Sequence, residues 1–386
     1  MSRVLYVATS DAHLKAFHVP YLEWLTSEGH IVDIVAERRK GLTFDCVRQA
    51  YWMSFPRKVA AAQHWTSFRE LRSIIEDGDY DVVHCHTPIP SALTRLASRR
   101  WRRRRGGKVL YTAHGFHFYR GAPLKNWLMY YPIEWLLSAF TDAILTINHE
   151  DYGYANRWMR HKDSYLLPGI GVRQDRFRPV SGAEKQDLRR ELGFDEDAFL
   201  LLYTAEFIPR KNHRFLIEAG SELVRRAPNA QLVFAGTGQL MDEMQAEAHA
   251  RGLARQVRFL GFRTDIEKIA AIVDVGVSSS RHEGLPIAPL EQMLCEVPVV
   301  ATDDRGHREF IEHGVTGFIF EQGDHRGFLD AALKLRYDSD LRATLGKAAR
   351  ERALHFSIDK ALEAHRAIYA KYLRENGNEG PASCGR

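Results

Sequence analysis

Short apolar runs alternate with longer amphipathic stretches along most of the 386-residue chain. The runs have the length of strands that are buried on both faces, and the stretches between them have the length of helices. This alternation predicts βα units built around parallel sheets. The runs in the first half are Val4–Ala8, Ile31–Ala36, Val82–Cys85, Val109–Thr112 and Ala143–Ile147. Those in the second half are Phe199–Thr204, Gln231–Ala235, Val257–Leu260, Val273–Ser278 and Val299–Thr302.

A polar stretch rich in turn residues, 169–182, separates the two groups of strands and predicts an interdomain linker. A chain of this length is expected to form two domains of roughly 170–190 residues each. We therefore predict one doubly wound α/β domain over residues 1–172 and a second over 183–355. The tail at 376–386 is rich in Gly, Pro, Ser and Asn, and we expect it to be disordered.

The amino-acid composition is that of an ordinary soluble globular protein and indicates no particular function. Hydrophobic residues make up 45% and charged residues 27%, as in ordinary soluble domains. No run approaches the ~20 apolar residues of a membrane-spanning helix, and the first residues read as a strand and not as a signal peptide. The four cysteines lie far apart without a Cys-x-x-Cys pair, which argues against a disulfide framework and a structural zinc site. We expect a cytoplasmic protein.

Two carboxylates, Glu283 and Glu291, follow the strand-like run that ends near Ser280. On a continuous helix this spacing is roughly 12 Å, whereas the acid/base pair of a glycosidase lies about 5–9.5 Å apart. Two anchors on one long polar ligand, such as a nucleotide sugar, fit the spacing better. Pro286 and Pro289 suit a first helical turn, whose free N–H groups favour phosphate. An ordinary helix with one acidic residue at each end explains the same spacing equally well.

The segment from Glu283 to Glu291, with Gly284, Leu285 and Pro286 inside it, resembles the Glu-x7-Glu motif of glycosyltransferase family 4. Other segments resemble that family in the same order along the chain: residues 81–88, 111–115, 167–171, 201–211, 234–238, 257–261 and 299–306. The resemblance extends from about residue 2 to about residue 320 and is strongest from residue 200 onward. The most similar members build bacterial capsule or exopolysaccharide repeats.

The resemblance implies a retaining enzyme with the GT-B fold. In that fold two Rossmann-like parallel-sheet domains face each other across a cleft, and the last helix, here 359–374, crosses back to the first domain. Glu291 is then expected to bind the ribose hydroxyls and Glu283 those of the donor sugar, while His114 lies near donor and acceptor. Backbone N–H groups of Gly284, Leu285 and Gly306 are expected to bind phosphate.

The remaining expected site residues follow from their places at predicted strand ends. Donor-binding candidates are Pro286, Gly236, Gly238 and Gly261, and acceptor-side candidates are Ser10, Asp11, His13 and His86. The turn at Gly236 to Gly238 is not a full Gly-x-Gly-x-x-Gly fingerprint, so it does not indicate a nicotinamide site. A lone histidine such as His114 is also commonly a structural hydrogen-bonding residue.

Charge develops on the leaving diphosphate during sugar transfer, and fixed cations there are a large catalytic term. Arg210 and Lys211 stand between a predicted strand and a helical run, where they are placed for this role. Two solvated loop cations are the alternative. Lys211 matches the family's lysine, but Ala205-Glu206 occupies the place of its Gly-Arg, and Arg210 is our candidate replacement.

No metal ion or other cofactor is expected. Asp77, Asp79 and Asp81 resemble Asp-x-Asp motifs of metal-dependent transferases, but they precede a strand and so lie at the wrong end of the sheet. His84 and His86 share one strand face without a third ligand at zinc spacing. No strong candidate for a covalent nucleophile is present. Retention of the anomeric configuration would therefore need the acceptor to attack the sugar from the same face that the phosphate leaves.

A basic run and an aromatic segment in the first half suggest peripheral attachment to the inner face of the cell membrane. The basic residues are Arg99, Arg100, Arg102, Arg103, Arg104, Arg105 and Lys108, and the segment at 124–140 contains Trp127 and Trp135. A solvated helix end next to a buried helix is the alternative, and nothing else supports nucleic-acid binding. Attachment would suit a polyprenyl-linked saccharide acceptor.

We predict a metal-independent, retaining glycosyltransferase that uses a nucleotide-diphosphate sugar, with uridine as the expected nucleoside. Two other functions remain open from the sequence. A nucleotide-sugar 2-epimerase has the same architecture and needs no acceptor. A non-catalytic module that binds sugar nucleotides is the other, and the missing Gly-Arg is compatible with it.

Overall fold

The computed structural model describes residues 1–56 and 62–373, so the predicted disordered tail at 376–386 lies outside the described residues. The chain divides into two compact units. The first consists of Met1–Ile170 and the described residues from Ala361 onward, and the second is Gly171–Lys360.

The first unit contains a seven-stranded sheet in the order β3-β2-β1-β4-β5-β6-β7. Its strands are β1 (Arg3–Ser10), β2 (Ile31–Glu37), β3 (Gln49–Trp52), β4 (Val82–His86), β5 (Lys108–Ala113), β6 (Ala143–Thr146) and β7 (Asp163–Leu166). The helices up to residue 170 are α1 (Asp11–Phe17), α2 (Val19–Ser27), α3 (Gln63–Asp77), α4 (Pro88–Arg105), α5 (Leu124–Ser138) and α6 (His149–Trp158). All neighbouring strands are parallel.

The second unit contains a six-stranded sheet in the order β10-β9-β8-β11-β12-β13, again parallel. Its strands are β8 (Phe199–Thr204), β9 (Ala230–Ala235), β10 (Val257–Phe259), β11 (Val275–Ser278), β12 (Val299–Thr302) and β13 (Gly317–Phe320). Its helices are α7 (Gly182–Glu191), α8 (His213–Arg226), α9 (Met241–Ala250), α10 (Ile266–Ile272), α11 (Ile287–Leu294), α12 (His325–Tyr337) and α13 (Ser339–Leu354), and α14 (Ile358–Ala370) begins at its end.

Both sheets confirm the predicted doubly wound architecture. In each, the order reverses between the first and fourth strands, β1 and β4 or β8 and β11. The order is that of Rossmann-like domains, in which ligands bind outside the carboxyl ends of the strands at this reversal. The sheets are covered by helices on both faces, which explains why strands such as β8 and β12 read as nearly continuous apolar runs.

All of the predicted strands are present, but three further strands were missed: β3, β7 and β13. Each lies at the edge of its sheet. An edge strand is covered less completely, and the half-buried residues of β3 and β7 include polar ones. A search for continuous apolar runs therefore passes over β3 and β7, whereas β13 is apolar and mostly buried, so polarity does not explain why it was missed.

Helix α14 joins the first unit from Ala361 onward. The hydroxyl of Tyr369 lies 2.6 Å from Nδ1 of His84 on the central strand β4. Lys371 and Tyr372, which follow the helix, both bind the carboxylate of Asp163 on β7, at 2.7 and 2.6 Å. The end of the described chain is thus tied to the middle and to one edge of the first sheet.

The exposed surface of the first unit carries an apolar face on α5. Leu124 and Leu128 are 72% and 70% exposed, and Met129, Ile133 and Leu136 are exposed as well. We call these five residues the α5 apolar face. Among the described helices, none combines the length and apolar character needed to cross a membrane.

A buried ion pair fixes α5 against α4. The Arg95 guanidinium lies 2.8 Å from the Glu134 carboxylate, and both side chains are almost fully buried. Arg95 also lies over the ring of Tyr111 on β5, with 4.2 Å between guanidinium and ring centroid.

We expect Arg95→Met to lower the free energy of unfolding by about 3–5 kcal/mol, because it leaves the Glu134 carboxylate buried without its cation. Urea unfolding followed by tryptophan fluorescence measures this. The matched control is Arg72→Met in the exposed Arg72–Glu76 pair, where we expect a loss below about 1 kcal/mol. Equal losses in the two variants would contradict a special role for the buried pair.

Candidate functional site

Two cations and one carboxylate meet at the carboxyl end of the second sheet. Arg210 and Lys211 lie in the loop after β8, and Glu283 lies in the loop after β11, on either side of the strand-order reversal. Lys211 Nζ is 2.6 Å from one Glu283 oxygen, and an Arg210 nitrogen is 2.6 Å from the other. All three residues were predicted as site residues, but for different parts of the ligand, and their pairing was not foreseen.

The two cations determine the ionisation of Glu283. Burial alone would raise the pKa of this carboxyl group, but the charges of Lys211 and Arg210 outweigh it and lower the pKa to about 2. Glu283 is therefore ionised at neutral pH. The result is a cluster with one net positive charge, preorganised at the edge where ligands of this fold bind.

Asp304, which sequence analysis missed, holds the Glu283 loop in place. Its carboxylate accepts the backbone N–H of Glu283 and, at 2.7 Å, that of Gly306. A Cβ atom on residue 306 would lie 2.9 Å from the Glu283 Cβ, so only glycine allows this close approach. The Gly306 N–H donates to Asp304 in this structure, and its predicted binding of phosphate stays a prediction.

Tyr203, near the end of β8, stabilises the loop that carries Arg210 and Lys211. Its hydroxyl lies 2.8 Å from the Lys211 carbonyl oxygen, to which it donates, and 2.9 Å from Ser280 Oγ. Asn212 adopts a left-handed conformation with φ 54° where α8 begins. The available sequence signal for Tyr203 was a polar tip at the end of an otherwise apolar strand.

Helix α11 begins at Ile287, with Pro286 at its N-cap, so Glu283 precedes the helix and only Glu291 lies on it. The helical spacing of roughly 12 Å between the two carboxylates therefore does not apply. Leu285 is buried beside the helix start. Among the described residues no side chain caps this N-terminus. Its main-chain N–H groups stay candidates for phosphate binding, except at Pro289, which has none.

Glu291 has the opposite electrostatics to Glu283. It is half-buried on α11 and closely surrounded by protein, and this desolvation raises the pKa of Glu291 to about 7. Arg176 partly opposes the shift and Glu267 adds to it. The motif thus contains one firmly ionised carboxylate and one that titrates near neutral pH.

Gly236 and Gly238 let the loops after β8 and β9 touch. A Cβ on Gly236 would lie 2.0 Å from the Ala205 carbonyl oxygen, and one on Gly238 would lie 2.6 Å from the Phe207 nitrogen. The Gly236 N–H donates to the Gly261 carbonyl at 2.8 Å, which adds the loop after β10. These glycines therefore have a packing function, and their contribution to donor binding stays a prediction.

In the first unit, imidazoles cluster at the carboxyl ends of β4 and β5. His114 Nε2 lies 3.4 Å from His86 Nδ1. Burial lowers the pKa of His114 to about 3 and that of His13 to about 4, so both rings are neutral at neutral pH. His18, which sequence analysis missed, lies beside them, and its Nε2 is 3.2 Å from His13 Nε2. In sequence His18 stands alone just before the apolar helix α2, a position that signals no function.

Two of the acceptor-side candidates have structural roles in the described chain. The Asp11 carboxylate accepts backbone N–H groups of Ala12, Arg39, Lys40 and Leu42, which ties the loop after β2 to the start of α1. Burial opposes ionisation, but these N–H groups together lower the pKa of Asp11. Ser10 caps α1 by accepting the His13 N–H at 3.3 Å.

The Asp-x-Asp matches are structural and lie at the amino end of β4, as sequence analysis inferred. Asp81 accepts the Arg3 N–H at 2.9 Å, and Asp79 pairs with Arg105. Both ring nitrogens of His84 already have hydrogen-bond partners, since one lies 2.6 Å from the Tyr369 hydroxyl and the other 2.8 Å from the Thr112 hydroxyl.

The residues predicted to face the membrane differ in how much of their side chain is exposed. Arg102 pairs with the buried carboxylate of Asp142 at 2.9 Å. Trp127 is half-buried, packs against Phe118 and donates its Nε1–H to the Tyr119 carbonyl at 3.3 Å, and its place at a membrane surface stays a prediction. Trp135 is 38% exposed.

The basic residues that remain on the surface lie on the last turns of α4. Arg99, Arg100, Arg103 and Arg104 border an open groove of about 730 Å³. The groove also contains the exposed side chains of Trp65 and Leu96.

The fold, together with the ion-paired residues Arg210, Lys211 and Glu283 at the strand-order reversal, indicates a glycosyltransferase of the GT-B type. Residues 184–352 match the family model described as "Glycosyl transferases group 1", and residues 21–204 match "Glycosyltransferase Family 4". The chain is 43% identical over 372 residues to the glycosyltransferase named EpsD of Bacillus subtilis, covering 96% of this chain and 97% of that one. The chain therefore belongs to this glycosyltransferase family.

Two further similarities extend over nearly the whole chain. An Escherichia coli enzyme named UDP-Gal:alpha-D-GlcNAc-diphosphoundecaprenol alpha-1,3-galactosyltransferase is 25% identical, with 90% of each chain covered. The crystal structure of Anabaena Alr3699/HepE in complex with UDP-glucose has a TM-score of 0.78 at 19% identity, covering 96% of this chain and 100% of that one. The latter similarity supports the fold alone.

The raised pKa of Glu291 predicts pH-dependent stability. Its folded-state pKa of about 7 exceeds the unfolded value of 4.5, so folding favours the protonated form. This contribution to stability is complete below the unfolded pKa and is lost as pH rises through about 7. We expect Glu291→Gln, which mimics the protonated form, to exceed the wild type in stability by up to about 3 kcal/mol at alkaline pH and to match it below about pH 4.

Thermal unfolding across this pH range measures the difference. Glu283→Gln is the matched control with the opposite sign, because folding favours the ionised form of Glu283. That variant should be less stable than the wild type at neutral pH, and the deficit should shrink as pH falls toward about 2. A pH-independent advantage of Glu291→Gln would contradict the raised pKa.

Proposed function

We propose that this protein is a retaining glycosyltransferase that moves a sugar from a UDP-sugar to a lipid-linked saccharide in cell-surface polysaccharide synthesis. The observation that carries the proposal is the Lys211, Arg210 and Glu283 cluster at the switch point of the second unit. The names of two similar proteins add support. The Escherichia coli enzyme is named for UDP-Gal and a diphosphoundecaprenol-linked sugar, and the Anabaena protein was crystallised with UDP-glucose.

In the proposed reaction Lys211 and Arg210 stabilise the charge that grows on the departing diphosphate. The bond between the anomeric carbon and the phosphate oxygen breaks, and a bond to the acceptor oxygen forms on the same face. The acceptor hydroxyl proton passes to the leaving phosphate oxygen. Glu283, ionised and already oriented, accepts hydrogen bonds from donor-sugar hydroxyls. Because the charges are supplied by side chains, the reaction is proposed to need no metal ion.

His114 is proposed to act as a neutral hydrogen-bonding group beside the reacting sugar. With a pKa of about 3 its imidazole is not a cation at neutral pH. It can therefore accept a hydrogen bond from a sugar hydroxyl or donate one, depending on its tautomer. Glu291 is proposed to bind the ribose hydroxyls.

The lipid-linked acceptor implies work at a membrane surface, and the first unit offers a suitable one. The α5 apolar face exposes aliphatic side chains, and Arg99 at the adjoining end of α4 lies over Phe140, just beyond the end of α5. Arg103 and Arg104 are exposed and have no carboxylate partner among the described residues. Apolar side chains that enter the interface and arginines that bind anionic headgroups together provide peripheral attachment. We propose the inner face of the cell membrane.

The nucleotide-sugar 2-epimerase keeps one specific observation in its favour. Glu291, with a pKa of about 7, is tuned for taking and returning a proton at neutral pH. We favour transfer because the family to which the chain belongs consists of glycosyltransferases.

Release of UDP from a panel of UDP-sugars, with and without polyprenyl-diphosphate-linked saccharide, tests the function. We expect release that depends on the acceptor. Lys211→Met should reduce turnover by about 10²–10³-fold, the usual effect of removing one group that stabilises a leaving or oxyanionic charge. Lys268→Met, which removes an exposed lysine paired with Glu191 in the same unit, is the control and should leave turnover unchanged.

Each other outcome identifies an alternative. A changed donor sugar without acceptor indicates the epimerase. Donor binding without any reaction indicates a binding module. Full turnover in Lys211→Met would remove the proposed role of the cation cluster.

Flotation with liposomes tests the membrane surface. We expect Leu128→Gln/Ile133→Gln and Arg103→Gln/Arg104→Gln each to reduce binding to anionic vesicles, since each arginine contributes about 1 kcal/mol at such a surface. Only the arginine variant should lose its effect on neutral vesicles or at high salt. Arg326→Gln, at a 91% exposed arginine of the second unit, is the control. Undiminished binding in both double variants would exclude this surface.

A further inference from the structure

Three imidazoles from separate parts of the first unit meet at one point. His13 lies on α1, His18 lies between α1 and α2, and His114 follows β5. We call them the histidine triad. One ring nitrogen from each lies within 4.8 Å of the others. The proposed transfer uses only His114 of the three, so this convergence has no explanation in the function so far described.

We propose that the histidine triad is a binding site for a divalent transition-metal cation of the zinc class, and that its occupation blocks sugar transfer. Zinc binds imidazole nitrogens at about 2.0–2.1 Å in tetrahedral geometry, which places two such nitrogens about 3.3 Å apart. The Nε2 atoms of His13 and His18 are already 3.2 Å apart. Three histidines with an open fourth position form a known type of zinc site.

The arrangement is preorganised from several sides. The start of α1 is fixed by the Asp11 carboxylate and by the Ser10 cap. His18 is buried and packs against the ring of His86 with centroids 4.2 Å apart. His86 Nδ1 in turn lies 3.4 Å from His114 Nε2 and holds that ring in orientation. Such outer partners orient the ligands of metal sites.

The chemical state of the rings also fits. Metal binding needs a neutral imidazole. Burial lowers the pKa of His13, His18 and His114 alike, and the neighbouring rings lower that of His18 and His114 further. None of the three has to lose a proton at neutral pH to coordinate a cation. His13 and His114 remain partly exposed, so the site opens to solvent on their side.

The blocking effect rests on the proposed function. A bound cation takes the lone pair of His114 that we assign to the reacting sugar. It also places two positive charges among acceptor-side candidates. Transfer without metal and inhibition by metal are therefore compatible, because the leaving diphosphate is handled by Lys211 and Arg210 in the second unit.

Cobalt titration of the full chain tests the site independently of transfer. Co²⁺ replaces Zn²⁺ in such sites, and its intense visible absorption reports tetrahedral coordination. We expect an equimolar end point in the wild type, competed away by Zn²⁺. His18→Phe and His13→Gln should abolish the absorption. His365→Phe, which changes another buried histidine of the same unit, is the matched control and should retain it. Thermal unfolding checks that each variant is folded.

No tetrahedral absorption in the wild type, or equal absorption in His18→Phe, would overturn the site. For the blocking effect, transfer is compared with and without Zn²⁺ in each variant and normalised to its own metal-free rate. We expect at least tenfold inhibition of the wild type, reversed by EDTA, and little inhibition of His18→Phe. Cobalt binding that leaves transfer unchanged would overturn the blocking effect. Cobalt binding in a chain without transferase activity would instead refute the proposed function and leave the site standing.

Discussion

The buried charge of Glu283 is the constraint on which the candidate donor site depends. An ionised carboxylate that is only 7% exposed is stable only if cations and N–H groups surround it. Lys211 and Arg210 meet this need from the loop after β8, and Asp304 holds the Glu283 backbone from the loop after β12. One carboxylate thus determines how three loops are folded together, and the cations are oriented before any ligand arrives.

The two units stabilise the buried polar side chains at their strand-order reversals in different ways. The second unit pairs full charges, so its loops are held by strong electrostatic attraction. The first unit collects imidazoles that burial keeps neutral, and Asp11, a buried carboxylate at this edge, is held by backbone N–H groups. Fixed cations suit an anionic nucleotide, whereas neutral imidazoles that donate or accept hydrogen bonds suit uncharged hydroxyls.

Much of this could be predicted from sequence, because strands buried on both faces leave apolar runs that are easy to recognise. The edge strands β3 and β7 could not, since partial burial permits polar residues. In the site, Glu283 and Lys211 were found through a motif, but their pairing depends on loop geometry that periodicity does not encode. Because α5 is apolar on nearly all sides, composition does not indicate that Leu128 is exposed and Trp127 half-buried. The four main-chain N–H groups that Asp11 binds could not be foreseen, because such partners leave no trace in sequence.

The bond between Tyr369 and His84 has a consequence for how the protein is made. The first sheet is encoded before residue 170, yet the residues that satisfy its central histidine come from the far end of the chain. During translation the ribosome must synthesise the whole second unit before α14 emerges. Until then His84 Nδ1 lacks its Tyr369 partner and the surface that α14 covers is open to water. The nascent first unit therefore stays incomplete until the second unit has been synthesised.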